Sequence, residues 1–164
     1  MMVASAAMFF SCASKQAEQD MILFDAEDFQ TVVDGKETSL YTLKAGDLVM
    51  QVTNFGGRVV SLWVPDKDGK YEDVVLGYNN IDSYINNKGE RFLGAVVGPY
   101  ANRIADGTYT IGEETYNFPK NNNGQTLHGG LKGLDMVVWD VESVNDSTLV
   151  LSYLHADGQE GMPG

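Results

Sequence analysis

SLYTLKAGDLVMQVTNFG, residues 39–56, carries the pattern that decides the fold. Leu48, Met50 and Val52 alternate with Val49, Gln51 and Thr53, and β-rich residues lie on both sides of Gly46-Asp47. A period of two places successive side chains on opposite faces of an extended strand, and a Gly-Asp pair between two such runs signals a turn. Two antiparallel strands are expected here.

Outward from this stretch the same grammar repeats. RVVSLWVPDKDGKYEDVVLGY (58–78) reads as a strand, a turn from Pro65 to Gly69, and a second strand over Val74–Leu76. IDSYINN (81–87) suits one short helical turn, and RFLGAVVGPYANRI (91–104) a buried strand broken at Gly98-Pro99. GTYTIGEETYNF (107–118) reads as a hairpin about Gly112, and VVWDVESVNDSTLVLSYLHAD (137–157) as another turning at Asn145-Asp146. No stretch has helical periodicity of ordinary helix length. Short strands at close spacing with glycine-rich turns predict an all-β, antiparallel sandwich or barrel.

A chain of 164 residues with 43% hydrophobic content can bury the core of one domain. Eleven basic against 23 acidic residues give a net charge of -12, which argues against nucleic acid or an anionic membrane as partner. A neutral ligand such as a sugar stays open. The single cysteine, Cys12, excludes an internal disulfide, and with two histidines it offers no structural zinc set. No P-loop or dinucleotide fingerprint is present.

MMVASAAMFFSCASKQ opens with an apolar run too short to span a bilayer but suited to a signal sequence. A small residue before Cys12 resembles a bacterial lipoprotein signal, although no Lys or Arg precedes the run. Residues 1–20 are expected to be a leader and polar tether, with Cys12 lipidated, and 21–164 the domain. That implies an exported protein, periplasmic or anchored at the outer membrane, with Cys12 as its only membrane attachment.

Three residues stand out for chemistry. His128 lies in NNNGQTLHGG (121–130), where Gly124 and Gly129-Gly130 permit unusual backbone and close ligand approach. It is either a working residue or a solvated turn histidine. Asn102-Arg103 offer an amide and a rigid fork of donors of the kind that reads sugar hydroxyls, or else close a surface turn. His155, at a strand exit, reads as a half-exposed structural residue, and Trp63 and Trp139 as core.

TNFGGRVVSLWVPDKDG, DVVLGY, GPYANRI, GQTLHGG and DGQEGMPG occur in this order over nearly everything after the leader. Together they resemble the aldose 1-epimerase (galactose mutarotase) family. The resemblance implies a large antiparallel β-sandwich, the galactose mutarotase-like supersandwich. It also implies interconversion of α and β anomers of free aldoses such as galactose or glucose, with no metal or nucleotide cofactor. Asn102 and Arg103 would then bind the sugar, and His128 would be the first of two active-site histidines, near the ring oxygen. The family's acid, a second histidine, and its base, a glutamate, lie beyond the DGxEGxPG segment. The 164 residues are therefore expected to be the N-terminal part of the domain, truncated on its C-terminal side, and inactive alone. His155 precedes that segment and Glu160 belongs to it, so neither matches the missing groups. The alternative is a non-catalytic carbohydrate-binding surface lipoprotein.

Overall fold

The computed structural model describes residues 21–86 and 89–164. The leader and the proposed lipidation site at Cys12 lie outside the described residues. The fold is all-β and antiparallel, as the alternation predicts. Short strands β1 (Val32–Val33) and β2 (Lys36–Glu37) precede a four-stranded meander. In the meander, β3 (Leu40–Ala45) pairs with β4 (Leu48–Thr53), β4 with β5 (Arg58–Pro65), and β5 with β6 (Tyr71–Asp73).

The alternation in β4 holds from Leu48 to Gln51 and is lost at a register shift, after which Val52 and Thr53 are both buried; the buried positions include polar side chains. Val49, Gln51 and Thr53 are buried, whereas Leu48 is exposed. Gln51 is tolerated because its amide is fully used, since a buried polar group is costly only when unpaired. Its Oε1 accepts from Phe24 N–H at 2.9 Å and from Ser61 Oγ at 3.2 Å. Its Nε2 donates to Phe24 O at 3.0 Å and to Thr42 Oγ1 at 3.3 Å.

Residues 54–59 tie the meander to the rest of the chain. Trp139 N–H donates to Asn54 O and Gly56 N–H to Val137 O, while Phe55 bridges Val138. On the other side Val96 N–H donates to Gly56 O and Val59 N–H to Gly94 O. Phe55 lies in a core with Phe29, Leu40, Val60, Ile81, Tyr84 and Val138. Ile81 and Tyr84 come from the short helix α1 (Ile81–Asn86), the turn expected from IDSYINN.

Two expected strands are corrected. The last strand of the meander is Tyr71–Asp73 and not Val74–Leu76, of which Val74 and Leu76 are exposed. Asp73 ends the ladder with its own side chain, whose Oδ1 accepts from both Leu62 N–H and Val75 N–H. The apolar part of 91–104 forms no strand, because Gly94, at φ 65°, turns the chain between its two contacts with residues 56–59. Only β7 (Arg103–Ile104) at its end is extended and paired.

Both expected hairpins form: β8 (Thr108–Ile111) with β9 (Glu114–Asn117), and β11 (Asp140–Val144) with β12 (Leu149–Ser152). Tyr109 stacks on Phe118 at 4.8 Å, and Phe118 joins Ile104 and Met162 in a second small core. That core underlies β7 and its partner β10 (Thr126–Leu127), which carry the candidate residues.

Candidate functional site

The pairing of β7 with β10 sets Ile104 opposite Thr126 and Arg103 opposite Leu127. The next step of the ladder joins Asn102 to His128, so the three residues singled out by sequence are adjacent. His128 N–H donates to Asn102 O at 2.9 Å, and Asn102 N–H donates to His128 Nδ1 at 2.9 Å. Both residues hold positive φ, 67° and 53°, a region sparsely used by residues other than glycine and often found at functional sites.

This exchange fixes the chemistry of the imidazole. A backbone N–H can only donate, so Nδ1 must accept, and the neutral ring carries its proton on Nε2. His128 therefore presents Nε2–H as a donor. Its ring packs on Phe92, with centroids 4.6 Å apart and planes inclined by 59°.

Arg103 is exposed yet held. Its Nε and Nη2 donate to Asn122 Oδ1 at 3.1 and 3.0 Å, and Nη1 donates to Asn102 Oδ1 at 3.3 Å. The loop that carries His128 is pinned from within by Asn121. Its Oδ1 accepts from Leu127 N–H, and its Nδ2 donates to Leu127 O and Gly130 O. Gly129 (φ 86°) lies so close to the Gly98 carbonyl that an added Cβ would collide with its oxygen. Glu160, in the DGQEG segment, accepts from Leu131 N–H at 2.6 Å and closes the far end of the loop.

Beneath Phe92 sits a buried ionic cluster that the sequence reading did not anticipate. Arg91 grips Asp135 with two donors, Nε to Oδ2 at 2.5 Å and Nη2 to Oδ1 at 2.9 Å. Arg58, fully buried, donates to the carbonyls of Arg91, Leu93 and Asp135. Burial pulls the Arg58 guanidinium below its ordinary range, and the Asp135 charge pushes it back up. Arg91 also lies over the Phe92 ring at 5.0 Å. The cluster thus ties residues 91–93, which place Phe92, to the turn that follows the histidine loop. Phe92, Asn122 and Asp135 left no motif-like signal; only the Asn-Gly turn signal at 123–124 pointed near Asn122.

His155 is half-buried, and its buried Nε2 has no hydrogen-bond partner among the described residues. Among the described residues no hydrogen bond or ring contact joins it to His128. Trp139 is half-buried and donates its Nε1–H to Leu134 O, consistent with a packing role.

The family model for aldose 1-epimerase matches residues 39–164, which include every residue of this cluster. The chain belongs to the aldose 1-epimerase family. It is 40% identical over 129 residues to a probable aldose 1-epimerase of Arthroderma benhamiae, covering 76% of this chain and 29% of that protein. It is 36% identical over 124 residues to the galactose mutarotase of Bos taurus, covering 76% and 35%. Among solved structures, an aldose epimerase homologue from C. elegans superposes with a TM-score of 0.72 at 30% identity, covering 77% of this chain and 39% of that one. The chain spans about a third of the length of the curated relatives it matches. Its antiparallel β architecture is thus that of the aldose 1-epimerase family.

Proposed function

We propose that these residues form one wall of an aldose-binding site in an enzyme that interconverts sugar anomers at C1. The observation that carries this is the Asn102–His128 exchange, which leaves His128 an Nε2–H donor on residues that adjoin Arg103, whose guanidinium keeps N–H groups to spare. Neutral polyols are read by such neighbouring donors.

In mutarotation a base removes the proton of the C1 hydroxyl while an acid protonates the ring oxygen. The C1–ring-oxygen bond breaks, the C1 carbonyl forms, and the aldehyde rotates about C1–C2. The ring oxygen then attacks the other face, returning its proton as the C1 oxygen regains one. Nothing is oxidised or reduced. His128 suits the donor side of this scheme: its Nε2–H can hydrogen-bond the ring-side oxygen, whereas its Nδ1 is engaged by Asn102. Asn102 and Arg103 would hold ring hydroxyls. The acid and base that the family resemblance implies are not among these 164 residues, so this chain alone is expected to give no mutarotation above buffer.

Polarimetry of α-D-galactose with the full-length gene product tests the reading. His128→Ala should lower kcat by about 100-fold or more, the scale of one positioned proton-transfer or hydrogen-bonding group. A variant retaining activity within about twofold would remove His128 from the site. Export with lipidation at Cys12 is proposed on the leader pattern. Radiolabelled palmitate should mark the wild type and not Cys12→Ala, and equal labelling of both would end that proposal.

A further inference from the structure

NNNG (121–124) contains no residue that the family resemblance uses, yet its geometry is specific. Asn123 and Gly124 hold φ of 47° and 80°, the pair of positive values that a primed two-residue turn requires. Asn122 N–H donates to Gln125 O at 3.1 Å and Gln125 N–H donates to Asn122 O at 2.8 Å, so the backbone of Asn122 is closed on both sides. Gln125 is anchored in turn, its Oε1 accepting from Asp106 N–H. From this fixed backbone the side chain of Asn122 sets one oxygen against two donors of Arg103.

We infer that Asn122 is the positioning residue for Arg103, and that the Asn-Gly turn exists to hold it there. The inference rests on the sugar-binding reading of Arg103. An arginine on a two-residue surface strand has several free torsions, and its fork is useful only if its direction is set before the ligand arrives. Asn122 fixes the side edge through Nε and Nη2, and Asn102 takes one donor of Nη1. Of the five guanidinium N–H groups, two on the terminal nitrogens remain for a ligand. A neutral amide suits the task. It accepts from two guanidinium donors through one oxygen, a contact that a carboxylate at the same position would also make.

Three variants of the full-length gene product test this: Asn122→Leu, which keeps the branched shape and loses the acceptor; Asn122→Asp, which keeps the acceptor; and Arg103→Lys, which identifies the Arg103 Nε–H resonance by its disappearance. In wild type that resonance should be shifted from free arginine and protected from solvent exchange. Asn122→Leu should return it to the free position and raise KM for galactose about tenfold, the scale of losing a charge-assisted contact, with a smaller effect on kcat. Asn122→Asp should recover the protected resonance and most of the KM. A protected Arg103 resonance in Asn122→Leu overturns the inference, as does a lost resonance with unchanged KM where Arg103→Lys does raise KM. If Arg103→Lys leaves KM untouched, the sugar-contact reading of Arg103 fails instead, and the resonance still reports whether Asn122 holds it.

Discussion

His128 owes its properties to its neighbours. Asn102 N–H occupies Nδ1 and Phe92 covers one face, so ring rotation and tautomer are both set by packed groups. Long-range ¹H–¹⁵N spectra should show the Nε2–H tautomer in the neutral ring, and an Nδ1–H pattern would contradict the geometry. Gly129 is equally constrained. Its φ of 86° and the Gly98 carbonyl leave no room for a side chain, and that carbonyl is backbone which also accepts from Leu134 N–H. Gly129→Ala should cost at least about 2 kcal/mol, because strain and collision act together. A urea midpoint like that of wild type would refute this.

At the scale of elements, the site depends on two short strands and one buried cluster. Asp135 is fully buried and faces two guanidiniums, one of them Arg58, itself fully buried. Removing its charge leaves that cation uncompensated, and Asp135→Asn should destabilise the fold by about 3–5 kcal/mol, readable from urea unfolding. Tyr84 gives a pH test. Burial raises its phenol above 10.0, more than the Tyr78 N–H and Arg58 pull it down. The folded state thus favours the neutral phenol. Its contribution is fully present below the unfolded value near 10 and is lost as pH rises towards and through the folded value. Stability should fall above about pH 10 in wild type and less steeply in Tyr84→Phe, measured as urea midpoints across that range. The meander and both hairpins were legible because alternation and turn residues act locally. The Val74–Leu76 and 91–97 runs form no strand for a tertiary reason: Asp73 Oδ1 takes the Leu62 N–H, so pairing stops once Val74 N–H has reached Leu62 O, and Gly94 turns the chain. The ionic cluster was invisible because its members are 33 to 77 residues apart and share no motif.

Across the whole molecule, the net charge of -12 and a neutral aldose give contrasting expectations. Association with a neutral ligand releases no counterions and involves no charge steering, so sugar affinity should be nearly the same at low and high salt. A steep salt dependence of galactose affinity would contradict this. His128, Asn102 and Arg103 were each readable as candidates from sequence, and the family resemblance implied one shared sugar site; what sequence left open was the backbone exchange that joins them. Residues 102 and 128 are 26 positions apart and join through a two-residue ladder that local patterns do not announce. The most direct test is a titration of the ¹⁵N-labelled protein with D-galactose. The account predicts saturable shifts at Asn102, Arg103, His128 and Gly129, including the Arg103 Nε–H, and their loss in His128→Ala. Saturable shifts confined to other residues, or none in a folded protein, would contradict it.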